Sequence, residues 1–98
     1  MTGGPAEGKK PWFVYMLRCG DQTLYTGSTD DVPRRLAAHR AGRGAKYTRG
    51  RGPLELVYTE RVPDRGAALR REYQLKRLSR REKETLIAQP RPETAETG

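Results

Sequence analysis

What this chain has little of narrows its nature first. It has one cysteine, Cys19, so no disulfide can form within it, and its core must hold without covalent staples. A lone cysteine fits a reducing compartment. Long apolar runs are missing as well. The only near-continuous one, Trp12–Leu17, is too short for the hydrophobic part of a signal peptide or for a membrane span. The expectation is a soluble, cytoplasmic protein with no membrane partner. No internal repeat is visible, and 98 residues make one domain at most.

Acid is also in short supply: 12 acidic residues face 20 lysines and arginines, a net charge of +8. The ends look loose. Residues 1–10 are glycine-rich and polar, and residues 89–98 string together Pro, Glu and Thr, compositions that bury too little surface to offset the entropy of ordering. Setting both ends aside removes three charges of each sign (Lys9, Lys10 and Arg91; Glu7, Glu93 and Glu96). The +8 excess therefore belongs to the segment 11–88, the expected folded domain. Arg40, Arg43, Lys46, Arg49 and Arg51 follow one another with no acid between them. A polyanion, most naturally nucleic acid, is the partner such a surface suits.

The elements follow from pattern. Residues 12–18 and 24–27 are rich in aromatic and β-branched residues around a turn containing Gly20 and Asp21, which predicts a β-hairpin. Asp30 or Asp31 can cap a helix over about 32–41, with Pro33 in its first turn and Gly42 ending it. Residues 42–53 carry four glycines and no period, a loop. Residues 54–59 read as a third strand. Asp64 can cap a helix over about 65–78, and Ser79 with Glu82 forms a capping-box pattern for another ending near Ala88. The order β-β-α-β-α-α implies an α+β fold, a small three-stranded antiparallel sheet flanked by helices.

Several residues fit that frame poorly. On a helical wheel Ala68, Leu69, Leu75 and Leu78 form an apolar arc, yet Glu72 falls inside it. An inward carboxylate is costly unless paired or bound to a cation; the plain alternative is an ion pair with Lys76, four residues on. Glu82 and Glu84 read as ordinary solvated charges. Arg35 and His39 stack on one side of the first helix, where a snorkelling arginine and a rim histidine are the plain alternative. In the hairpin, an odd loop such as 19–21 sets Tyr15 opposite Tyr25 on one face, an arrangement that packing alone also explains. Gly27 would let a backbone or ligand approach closely.

Val14-Tyr15, Tyr25-Thr26-Gly27, Arg35, His39 and Glu72, in this order and spacing, resemble the GIY-YIG nuclease domain, and more narrowly the short stand-alone members related to the nuclease module of the repair protein UvrC. Phe13-Val14-Tyr15 stands for Gly-Ile-Tyr, and Tyr25-Thr26-Gly27 for Tyr-Ile-Gly. The resemblance implies a metal-dependent phosphodiesterase. Glu72 would hold one divalent ion, Mg²⁺ or Mn²⁺. Arg35 would contact the scissile phosphate, and Tyr15, Tyr25 and His39 would surround the attacking water, with Tyr25 favoured as the base because His39 is in reach. Arg43, Lys46, Arg49 and Arg51 would neutralise phosphates, and Tyr47 would stack on a base or close the loop onto the core. The chain departs in having no asparagine after the metal glutamate and no separate DNA-targeting domain. Targeting would then come from a protein partner, self-association or nucleic-acid shape.

The functional expectation is an endonuclease on DNA, with branched, damaged or single-stranded forms as its candidate substrates, weak sequence preference and a place in repair among its options. A nucleic-acid-binding module of the same fold that does not cut is the rival.

Overall fold

The structure, a computed structural model, describes residues 10–89. The loose ends expected at 1–10 and 89–98 lie outside the described residues, Lys10 and Gln89 excepted. The α+β order β-β-α-β-α-α is as expected. β1 (Trp12–Arg18) and β2 (Leu24–Thr29) form the hairpin, and α1 (Val32–Arg40) follows. β3 (Glu55–Val62), α2 (Arg65–Lys76) and α3 (Arg80–Ala88) complete the fold. The sheet order is β2-β1-β3, all antiparallel, so β1 is central and β2 is an edge.

Side chains alternate along β1, and this separates two cores. Val14 and Met16 point to one face and pack with Tyr58, Ala68 and Leu75; Trp12, Leu78, Leu86 and Ile87 close around them, which seats α2 and α3 there. Tyr15 and Leu17 point to the other face and pack with Cys19 and Leu54, bordered by Tyr25, Leu36 and Leu56, which seats α1 and the following loop.

The helix starts are those the sequence signals. Asp31 Oδ1 accepts the Arg34 N–H at 3.1 Å, and Asp64 Oδ1 accepts the Ala67 N–H at 2.8 Å. Ser79 and Glu82 close a reciprocal capping box at 3.1 and 2.8 Å.

Four expectations change. The hairpin register sets Tyr15 opposite Gly27 and Leu17 opposite Tyr25, because the connection runs from Cys19 to Thr23 and is two residues longer than expected. The loop is still odd, so both tyrosines share a face as diagonal neighbours. β3 runs on to Val62, since residues 59–62 ladder onto Trp12–Tyr15 and Glu60 pairs with Arg71 at 3.0 Å, a continuation hidden by the charges in the segment. The loop contains a short 3₁₀ turn, Lys46–Thr48. Leu69 is exposed, at 48%, because α2 meets the sheet along the line of Ala68 and Leu75 alone.

Glu84 is also no ordinary solvated charge. Arg18 at the end of β1 donates to it with two guanidinium nitrogens, at 2.8 and 3.1 Å, and Arg80 adds a third bond at 2.8 Å. This bidentate clamp ties α3 to the central strand. Arg18 first, then Arg80, pulls the Glu84 carboxyl down to about 2 from the usual 4.5. A carboxylate with a depressed folded value stabilises the fold above its unfolded value and loses that contribution as pH falls. Stability should therefore drop between pH 4.5 and about 2. Glu84→Gln should flatten that limb in thermal melts and lower stability at neutral pH by about 1 kcal/mol, the pair being solvent-screened.

Candidate nucleic-acid-processing site

The site grows from the β1 face that carries Tyr15. This phenol is 2% exposed and runs across the hairpin over Gly27, its ladder partner. A Cβ at position 27 would lie 2.6 Å from the Tyr15 hydroxyl, 2.8 Å from its ring carbon Cζ and 3.0 Å from the Tyr25 ring. Gly27 therefore makes room for the protein's own phenol, where the sequence suggested room for another backbone or a ligand.

Beyond Gly27 the Tyr15 hydroxyl meets His39 Nε2 at 2.8 Å. His39 is 2% exposed, so it is a core residue and not a rim one. Its Nδ1 lies 2.9 Å from Thr48 Oγ1, and the Thr48 hydroxyl donates to the Ala45 carbonyl at 2.9 Å. One proton assignment satisfies all three short contacts: Tyr15 O–H donates to Nε2, Nδ1–H donates to Thr48, and Thr48 donates to Ala45. The Ala45 N–H approach to Nδ1, at 3.4 Å, is the weak contact this assignment gives up. Gly44 is needed here too, because a Cβ on it would collide with the imidazole.

Tyr25 is half-buried and completes an aromatic cluster. Its ring centroid lies 5.3 Å from His39, 6.3 Å from Tyr15 and 5.8 Å from Tyr47. Tyr25 touches the imidazole edge, so His39 is within its reach as expected, while the hydrogen bond to His39 belongs to Tyr15. Tyr47 folds back onto this cluster, with the Arg51 guanidinium 4.4 Å from its ring centroid. Arg51 also bonds the Tyr47 carbonyl at 2.6 Å and pairs with Asp21, so it serves the loop itself. Arg43, Lys46 and Arg49 are exposed, and no ion pair among the described residues involves them.

The charges at this centre register on the buried groups. Burial pushes the Tyr15 phenol up to about 12; the Arg35 guanidinium beside it opposes that rise, while Tyr25 and Glu72 add to it. Burial, and then the Arg35 charge, lowers His39 below the usual histidine value. Arg35 is half-buried, and it also lines an open cavity of about 320 Å³ with Thr29, Asp30, Asp31, Arg34 and Ala38.

Glu72 arrives from the other side. It projects from α2 to the edge strand, where Ser28 Oγ donates to its Oε1 at 2.7 Å, one residue from Gly27. Lys76 Nζ lies 2.7 Å from Oε2, so the inward carboxylate and the ion pair with Lys76 occur together. The Glu72 side chain is 18% exposed. Both Ser28 and Thr48 escaped sequence reasoning. Ser28 had a usable signal, since its even position places it on the same sheet face as α2. Thr48 had none, because it lies nine positions from His39, across the glycine-rich loop.

The Gly27 contacts predict that Gly27→Ala destabilises the fold by about 1–3 kcal/mol through overpacking. Long-range ¹H–¹⁵N spectra should show neutral His39 carrying its proton on Nδ1. A lowered histidine pKa favours the fold above the unfolded value near 6.5, so thermal stability should decline as pH falls below it.

Comparisons with known proteins agree with this architecture. A profile of the GIY-YIG catalytic domain matches residues 11–85. A UPF0213 protein of Natronomonas pharaonis is 59% identical over 76 residues, covering 78% of this chain and 89% of that one. The UPF0213 protein YhbQ of Escherichia coli is 52% identical over 79 residues, covering 81% and 79%. The solution NMR structure of the UPF0213 protein BH0048 from Bacillus halodurans superposes with a TM-score of 0.54 at 49% identity, covering 89% of this chain and 94% of that one. With three quarters of its length matched and the tyrosines, arginine, histidine and glutamate gathered about one strand edge, the chain belongs to the GIY-YIG domain family.

Proposed function

We propose that this protein is a divalent-metal-dependent endonuclease that hydrolyses phosphodiester bonds in DNA with low sequence preference. The observation that carries the reading is the convergence at the β2 edge. Tyr15 is bonded to His39 and feels the charges of Arg35 and Glu72, and Tyr25 lies against both rings.

The donor set suits a hard cation. Mg²⁺ takes one or two carboxylates and fills its sphere with water and phosphate oxygens. Glu72 with Ser28 offers one carboxylate and one hydroxyl at a partly open position, though Lys76 must first give way. No group of three or more metal-ligating side chains occurs among the described residues, so substrate and water would supply the other ligands. A cation held by Glu72 would neutralise charge developing on the phosphate and the leaving oxygen.

The remaining roles follow from exposure and bonding. Arg35 reaches a solvent-open cavity and would hold a phosphate oxygen through charge-assisted hydrogen bonds. A base must touch the water it deprotonates. Tyr15 is buried, engaged by His39 and held at about 12, so it suits that task poorly. Half-buried Tyr25 is the phenol placed to meet water. Tyr15, His39 and Thr48 form the hydrogen-bonded backing against which the Tyr25 ring packs edge-on, with Tyr47 against Tyr25. Exposed Arg43, Lys46 and Arg49 would lie along the flanking phosphates.

The non-cleaving alternative draws on one observation: both Glu72 oxygens already have partners, Ser28 and Lys76. Incubation of purified protein with duplex, branched and single-stranded DNA and with RNA, in Mg²⁺ or Mn²⁺, separates the two. The nuclease reading expects cleavage that chelation stops and that Arg35→Ala and Glu72→Gln each reduce about 100-fold or more. Salt-sensitive binding without cleavage would favour the rival. Removing the competing ammonium in Lys76→Ala should tighten Mn²⁺ binding about two- to fivefold, measured by calorimetry.

A further inference from the structure

The outer flank of α2 carries groups that neither the core nor the proposed catalytic centre uses. Seen down the helix, Ala68 and Leu75 face the sheet, Arg71 leans toward β3 through Glu60, and Glu72 leans toward β2 through Ser28. At 100° per residue, Lys76, Leu69, Tyr73 and Arg77 follow Glu72 outward on the β2 side, in that angular order. Leu69 is 48% exposed and Tyr73 is 62% exposed. Arg77 donates to the Tyr73 hydroxyl at 3.1 Å, with its guanidinium carbon 5.5 Å from the ring centroid. An exposed aromatic ring held by an arginine, with an aliphatic neighbour one turn away, adds only the small stabilisation of a helix-surface pair and buries little.

We propose that Tyr73 and Arg77 form a docking platform for an unpaired nucleic-acid strand leaving the Glu72 site. Three observations choose this occupant. The flank is cationic: Arg70 and Arg77 are exposed, and no ion pair among the described residues engages them. It is continuous with Glu72, one residue from Tyr73. Its recognition element is a flat ring, on which the bases of an unpaired strand, unlike those inside a duplex, are free to stack. Tyr47, the other exposed aromatic, is already covered by Arg51 and Tyr25. Leu69 extends the platform for a base or sugar, and Arg70 and Arg77 sit where the strand's phosphates would pass. The inference deepens the proposed function by naming its substrate class, DNA or RNA with a single-stranded arm, and it rests on that reading for the strand's path.

Fluorescence anisotropy on the full chain in chelator, where no cleavage occurs, tests it with a labelled unpaired oligonucleotide and a blunt duplex of the same sequence. Tyr73→Ala should weaken binding of the unpaired strand about tenfold, as expected for one lost stacking contact. Tyr73→Phe should stay within about twofold, since the ring and not the hydroxyl is used, and duplex binding by Tyr73→Ala should also stay within about twofold. Unpaired-strand affinity unchanged in Tyr73→Ala, or an equal loss on duplex, overturns the proposal. So does self-association of the wild type that Tyr73→Ala abolishes while strand binding stays intact, which would make this flank an interface between copies. Cleavage with added Mn²⁺ is scored separately. A wild type that holds the strand through Tyr73 but never cuts keeps the platform and removes the nuclease.

Discussion

A missing methyl group organises this molecule. The Tyr15 phenol can cross the hairpin to His39 only because Gly27, its ladder partner, has no Cβ. His39 can accept it only because Gly44 leaves space for the imidazole. The resulting chain, Tyr15 to His39 to Thr48 to Ala45, fastens α1 and the glycine-rich loop to the central strand. Tyr25 then packs edge-on against this support, and Tyr47 against Tyr25. Burying two polar side chains this deeply is tolerable because each finds a partner.

The edge position of β2 matters as much. α1 and α2 pack on opposite faces of the sheet, so Arg35 and Glu72 would be screened from each other by a central strand. At an edge strand they are not. Glu72 reaches Ser28 from one side, the aromatic cluster comes up to Gly27 from the other, and the Tyr15 phenol feels both the Arg35 and the Glu72 charge. Under the proposed function this edge is where a phosphodiester would be held between guanidinium and cation. The net charge of +8 would supply the long-range attraction.

Much of this was legible in the sequence, for local reasons. Helix starts were written in Asp31, Asp64 and the Ser79–Glu82 box, whose partners lie three residues away. The order β-β-α-β-α-α followed from periodicity. Glu72 stood out because its wheel angle contradicted its charge. What failed was long-range or dependent on an uncertain loop length. The longer 19–23 connection moved Tyr15 from Tyr25 to Gly27. Glu84 looked solvated until Arg18, 66 residues away, proved to clamp it. The brace that Arg51, an expected phosphate contact, makes to Tyr47 and Asp21 was equally hidden. No membrane-crossing helix occurs among the described residues, in keeping with the short apolar run.

The central claim is that Glu72, at the β2 edge beside Gly27, is the seat of a catalytic cation. A crystal structure of the protein soaked in Mn²⁺, with anomalous differences recorded at the manganese edge, tests it most directly. The account predicts one strong peak about 2 Å from a Glu72 carboxylate oxygen, with Lys76 swung away and the Tyr25 hydroxyl and Arg35 facing the ion across a water-filled gap. No peak at Glu72 at saturating Mn²⁺, with the Lys76 pair intact, would contradict it.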